Sequence, residues 1–198
     1  MAKKDEIKAN KKSKLLGISC SVSLVLLSVF VLAGNSIVSQ QQQVFYKFAN
    51  VEQGFSIESQ IHEIIGQAHN MLVVAYRYND TNYTQQVYRL VTTLQGRINV
   101  ATHNNDTITS LSTLTQELLQ SMRVLNENSD ILNMSADDMA LFDGIIANVT
   151  SAHNIIRHSD FNSTVYEFNS WFDSAIMVPA RLIMAVRGIE PISQWEER

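Results

Sequence analysis

Leu15 to Gly34 is an uncharged, mostly apolar run behind a lysine-rich leader, and it constrains this chain more than any other feature. A hydrocarbon core about 30 Å thick takes roughly 20 helical residues to cross. The run has that length. Its serines (Ser19, Ser21, Ser23 and Ser28) are tolerable in lipid because a hydroxyl can bond back to a carbonyl one turn earlier. The competing reading is a cleaved signal peptide, with Val31-Leu32-Ala33 as the cleavage site. Secretory apolar cores run only about 7–15 residues, so a retained anchor is the better expectation. The lysines Lys3, Lys4, Lys8, Lys11, Lys12 and Lys14 all precede the run, and only Lys47 follows it closely. Positive charge beside a spanning helix stays in the cytoplasm. The sequence therefore predicts a basic cytoplasmic leader over 1–14, a transmembrane helix over 15–35, an extracytoplasmic domain over 36–190 and a polar tail over 191–198.

Charge and cysteine content sharpen the picture of the outer part. The chain has 15 basic and 19 acidic residues; setting aside the leader's six lysines and two acids leaves nine basic and seventeen acidic. Such an acidic domain argues against nucleic acid as a partner. The one cysteine, Cys20, lies inside the apolar run, so the outer domain has no disulfide. Extracellular animal domains of this size usually carry disulfides, which favours a bacterial periplasmic setting at the inner membrane. Six Asn-x-Ser/Thr triplets, at Asn79, Asn82, Asn105, Asn133, Asn148 and Asn162, keep a glycosylated eukaryotic type II protein open.

The outer domain reads as all-α. Gly and Pro are scarce, seven and two, too few for the turns of a β-rich domain. Apolar residues recur at spacings of three and four. Val44, Phe48, Val51 and Phe55 form one stripe, and Ile61, Ile64, Ala68, Leu72 and Ala75 continue it. This predicts one helix from near Ser36 to about Tyr78, with Gly54 or Gly66 as a possible bend. After a turn at residues 79–84, Val87, Val91, Leu94, Ile98 and Ala101 mark a second helix. A turn at 104–107, capped by Asp106 or Thr107, leads to a third carrying Leu111, Leu114, Leu118, Met122 and Leu125. Ser135 and Asp138 resemble a capping box before a fourth helix with Phe142, Ile145, Val149, Ala152 and Ile156. Residues 158–163 break the chain. The last helix carries Val165, Phe168, Phe172, Ala175, Leu182 and Val186, and Pro179 kinks it unless it sits in a first turn. Narrow seams separated by short turns suit an antiparallel four-helix-bundle-like domain continuing from the anchor.

No constellation in the sequence points to catalysis, and the expectation is a protein that is not an enzyme, with no catalytic residue, metal or cofactor. His62-Glu63 opens like a zinc-protease helix, but position 66 is glycine where the second histidine belongs. Glu58, His62 and His69 share a helical face and form only a weak metal candidate. His103, His153 and His158 fall near helix ends, where an imidazole can serve as a cap. Met71, Met122, Met134, Met139, Met177 and Met184 fall mostly at core spacings. The candidate ligand site is the Tyr76, Arg77, Tyr83, Tyr88 and Arg89 cluster, with Tyr78 beside it. Arginine offers a planar fork for a carboxylate and tyrosine a wall and a hydroxyl, so the set suits a small anion between helices.

Lys11-Lys12-Ser13-Lys14 before a span, a helix running out through Gln40-Gln41-Gln42-Gln43-Val44-Phe45, and a helical cysteine-free module with loops such as Asn79-Asp80-Thr81 resemble the input half of bacterial transmembrane sensors. These are the chemoreceptors, sensor kinases and cyclic-dinucleotide enzymes. The resemblance implies a single-pass inner-membrane protein whose periplasmic bundle binds a small ligand or a partner. Those families return through a second span to a signalling domain. Here the expectation is a signal passed across a homodimer or to another membrane protein. The alternatives are a structural or assembly subunit of an envelope complex and, ranked last, a zinc-dependent or other hydrolase.

Overall fold

The computed structural model describes the backbone over residues 2–49, 56–78, 82–99, 104–129, 133–173 and 178–195, and side chains over the same residues apart from 2–18 and 178–180. Among the described residues every regular element is a helix: α1 Ala2–Ala49, α2 Ile57–Ala75, α3 Asn82–Ile98, α4 Asn105–Glu127, α5 Ala136–Arg157, α6 Phe161–Asp173 and α7 Val178–Arg187. They group into two compact units. The first holds residues 1–41 and 171–190, the second residues 42–170 and 191–198.

In the first unit, α1 carries the apolar run. Val22, Leu24, Val25, Leu26, Leu27, Val29, Val31 and Leu32 are between 44% and 69% exposed. The helix stretch Ser19–Ala49 is long and apolar enough to cross a membrane, with a mean hydropathy of 2.1 across its most apolar part. Ser28 Oγ donates to the Leu24 carbonyl at 2.8 Å, the back-bonding that makes a serine compatible with an apolar surround. Gly34 is buried, and the guanidinium end of the Arg187 side chain lies against it, with Nε 2.9 Å from where a Cβ would stand. Ile37, Ile183, Met184 and Ile189 are the buried apolar residues of this unit. Pro179 lies in the first turn of α7, where its missing N–H leaves no bond unmade. The helix ends in a Schellman motif: Ile189 N–H donates to the Met184 carbonyl (2.9 Å), Gly188 N–H to the Ala185 carbonyl (3.4 Å), and Gly188 sits at φ +65°.

That geometry corrects the expected seam of the last helix. Leu182 and Val186 are 60% and 70% exposed, whereas Ile183 and Met184 are buried. α6 is described to Asp173 and α7 from Val178, and Ile183 and Met184 set the inward face of α7. The stripe extrapolated from Val165 and Phe168 therefore does not carry through. Ala175 lies outside the described residues.

In the second unit the apolar stripes point inward. α2 packs against α3 and α5, α4 packs against α3 and α5, and α2 also touches α4. Ile61, Ile64, Ala68, Leu72, Ala75, Val87, Val91, Leu94, Ile98, Leu111, Leu118, Met122, Leu125, Phe142, Ile145, Val149, Ala152 and Ile156 are all buried, as their spacing predicts. Leu114 is half-buried. Of the methionines, Met71 and Met122 are fully buried and Met134 nearly so.

Three helix starts differ from the sequence expectation. α1 ends at Ala49 and α2 begins afresh at Ile57, so the expected continuous helix to Tyr78 is divided. Ser56 causes the new start: its Oγ accepts from Ser59 N–H (3.0 Å), and Ser59 Oγ accepts from Ser56 N–H (3.1 Å). This reciprocal box satisfies two helix-end donors with two serines, where the usual pattern has a glutamate or glutamine third residue, and a search for that pattern passes over it. Val51, Gly54 and Phe55 lie outside the described residues, and Gly66 sits within the body of α2. Likewise Asn104, not Asp106 or Thr107, caps α4: its Oδ1 accepts from Thr107 N–H (2.8 Å) and Thr107 Oγ1 (2.7 Å). Residues 82–84, expected in a turn, already belong to α3.

Candidate functional site

The predicted ligand cluster is only partly gathered. Tyr76 is the C-cap of α2, with its side chain 49% exposed. Arg77 and Tyr78 follow it and reach across to the start of α5. Arg77 Nη1 lies 3.5 Å from Asp138 Oδ1. The Tyr78 hydroxyl makes a short hydrogen bond to Asp138 Oδ2, accepts from Ser135 N–H at 3.2 Å and lies 3.3 Å from Ser135 Oγ. The anion that this arginine and tyrosine hold is thus the chain's own carboxylate. Tyr83, Tyr88 and Arg89 lie along the first turns of α3 with exposed side chains.

Ser135 and Asp138 were visible in the sequence as a capping pair, and half of that reading holds. Asp138 N–H donates to Ser135 Oγ at 3.2 Å, so Ser135 caps α5. The reciprocal half is replaced, because the Asp138 carboxylate turns to Arg77 and Tyr78. An acidic side chain in the first turn also suits the positive end of the helix. The node can therefore tie the end of α2 to the start of α5.

The metal candidates do not converge. Glu58 and His62 are 3.9 Å apart, one turn from each other, and His69 is exposed further along α2. Among the described residues no three His, Cys, Asp or Glu side chains stand close enough to share an ion. His158 caps α5: its N–H donates to the Asn154 carbonyl at 3.0 Å, and its ring Nδ1 lies 2.8 Å from the same oxygen. His103 lies outside the described residues. A cavity of about 30 Å³ lies among Lys47, Ser56, Gln60, Ile156, Asp160 and Phe161, room for a single water. Lys47 closes one side, with Nζ 3.0 Å from Asp160 Oδ2 and 3.2 Å from Thr164 Oγ1.

The most organised polar geometry falls where composition marks only a polar tail. Pro191–Trp195 is non-helical, yet Ile192 and Trp195 are each 2% exposed. Asn169 brackets Ile192: Oδ1 accepts from Ile192 N–H (2.9 Å) and Nδ2 donates to its carbonyl (2.7 Å). Asn162 does the same to Trp195, at 2.7 Å and 3.2 Å. Asn105 Oδ1 accepts from Ser193 N–H at 2.5 Å. The Trp195 ring lies 6.1 Å from that of Phe48, which meets Phe161 edge-on at 5.7 Å. The only sequence signal for this site was that Asn162 and Asn169 stand seven residues apart, on one face of a helix. Two triplets read as glycan acceptors, at Asn105 and Asn162, thus have their amides engaged by the chain itself. No protein-family model, no curated protein and no solved structure matches the chain.

Proposed function

We propose that this is a single-pass protein of the bacterial inner membrane whose extracytoplasmic helical module binds a ligand or partner and passes the event on through a homodimer or another membrane protein. In this reading α1 crosses the bilayer with its amino terminus in the cytoplasm, and α2 to α5 close into an antiparallel four-helix bundle in the periplasm. The observation that carries it is the apolar band from Val22 to Leu32, eight large side chains exposed on all sides of one helix. Apolar surface on that scale in water marks an interaction site or a membrane, and on a helix of this length behind six lysines the membrane is the better fit. Exposed Leu182 and Val186 on α7 add apolar surface to the same unit, consistent with lipid beside it.

The bundle is supported by the ring of neighbours, α2 with α3, α3 with α4, α4 with α5 and α5 with α2. The short links between successive helices suit antiparallel pairs. Packed helices have discrete alternative arrangements, so a bound partner that favours one arrangement can shift the module as a whole. A small anion at the Arg77 and Tyr78 node must first displace Asp138. A partner-binding role therefore fits better than capture of a free anion there.

The test is topology. In bacterial cells expressing the full chain, the protein stays with the membrane after alkaline carbonate extraction. Protease added to spheroplasts then removes the module and leaves an amino-terminal fragment protected. Recovery of the chain in the soluble fraction, or protection of the module, overturns the reading.

A further inference from the structure

We propose that the groove holding Pro191–Trp195 is a docking site for an extended peptide strand of a partner, occupied in this structure by the chain's own segment. Asn162 and Asn169 are seven residues apart on α6, about 10.5 Å along a helix. The residues they bracket, Trp195 and Ile192, are three apart, about 10–11 Å in extended chain. The two lengths match, so the segment runs extended along α6, opposite in direction to the helix. Each amide then meets one residue's N–H and C=O together, as a neighbouring strand would.

Recognition of this kind reads the backbone and ignores most side chains. It is the logic of strand addition, with side-chain amides in place of a sheet edge. Only two positions are tested by shape: the sites of Ile192 and of the Trp195 ring against Phe48. Gln194 and Pro191 between and beside them are exposed, and Ser193 is half-buried. Nε1 of Trp195 is buried with no hydrogen-bond partner among the described residues. The pocket therefore accepts an aromatic ring and makes no use of the indole N–H, so phenylalanine serves there as well. The partner that fits is an extended segment with an aliphatic residue three positions before an aromatic one.

The segment is also separate from the helices that it lies on. It makes no regular secondary structure, and its main-chain bonds go to three asparagine side chains at partly exposed positions. Being outside the helices, such a segment can open without unfolding them, against the cost of these bonds and of exposing Ile192 and Trp195. While tethered, the segment competes at an effective concentration on the order of millimolar, so a partner binds weakly until it is displaced. This deepens the partner-binding half of the reading above, and its test does not depend on which side of a membrane the module lies.

The experiment uses the full chain in detergent micelles and a fluorescein-labelled peptide Glu-Pro-Ile-Ser-Gln-Trp-Glu, followed by anisotropy. Trp195→Ala empties the aromatic site. This variant binds the peptide at least about tenfold more tightly than the unaltered chain does, and replacing the peptide's isoleucine by alanine weakens binding by about tenfold or more. Equal binding to both chains, or indifference to the isoleucine, overturns the proposal. If Trp195→Ala loses its helical circular dichroism, a second variant decides. Trp171→Phe leaves Trp195 as the single indole, and an unlabelled peptide with phenylalanine in place of tryptophan is titrated in. Saturable red-shifted emission of Trp195 supports exchange. Unchanged emission at millimolar peptide overturns it.

Discussion

The two compact units carry the same kinds of side chain and treat them in opposite ways. Leu24, Leu26, Leu27 and Leu32 in the first unit are 64–69% exposed, while Leu94, Leu111, Leu118 and Leu125 in the second are fully buried. The difference is one of pattern. α1 is apolar on every side through its run, so no rotation can hide it against a single neighbour. α2 to α5 are apolar along one stripe, and packing hides that stripe from water. The helices of the second unit bury their stripes against one another, whereas the run of α1 leaves its apolar side chains exposed.

The sharpest way to break this contrast is to truncate one large apolar side chain in each unit. Phe142→Ala removes a fully buried ring and lowers unfolding stability by about 3–5 kcal/mol. Leu26→Ala, at a 64% exposed side chain, changes it by about 0.5 kcal/mol or less. Denaturant unfolding of the full chain in micelles measures both. Similar losses for the two would mean that the apolar run is a packed core helix after all. A smaller effect tests the boundary at which α2 starts anew. Ser56→Ala removes the cap and half of the reciprocal box, a loss of about 1 kcal/mol with fraying of the first turn of α2 seen by amide exchange. No change in protection there would mean that Ser56 does not set the start of the helix. A last effect, of similar size, has the opposite sign. Thr115 is fully buried in α4, and its hydroxyl has no partner among the described residues. Thr115→Val removes an unmade hydrogen bond at little change in shape and raises stability by about 1 kcal/mol. A loss of stability would show that the hydroxyl is satisfied in solution.

Much of the second unit was legible because its information is local. The spacing of Phe142, Ile145, Val149, Ala152 and Ile156 defines the buried face of α5 without any knowledge of its neighbours. Val87, Val91, Leu94 and Ile98 do the same for α3. The misreadings fall where a local signal was ambiguous. Asn104, Asp106 and Thr107 are all good caps, and backbone geometry chose the first. The stripe extrapolated from Val165 and Phe168 does not carry into α7, which turns Ile183 and Met184 inward in place of Leu182 and Val186. At the candidate anion site, Arg77 and Tyr78 were visible, but the carboxylate that engages them is some sixty residues further along the chain.

By itself, the sequence determined that the chain is helical, that one uncharged run near its amino terminus is long enough to cross a bilayer, and which face of each helix in the second unit turns inward. These follow from composition and from periodicities of three and four, which the backbone imposes within a turn or two. Tertiary structure alone decided that Asp138 answers Arg77 and Tyr78, and that Asn105, Asn162 and Asn169 take hold of the segment around Ile192 and Trp195. Those bonds join residues from 23 to 88 positions apart in the case of the segment. An asparagine amide has the same chemistry whether it meets water, a helix end or a distant stretch of backbone, so only the folded arrangement selects its partner.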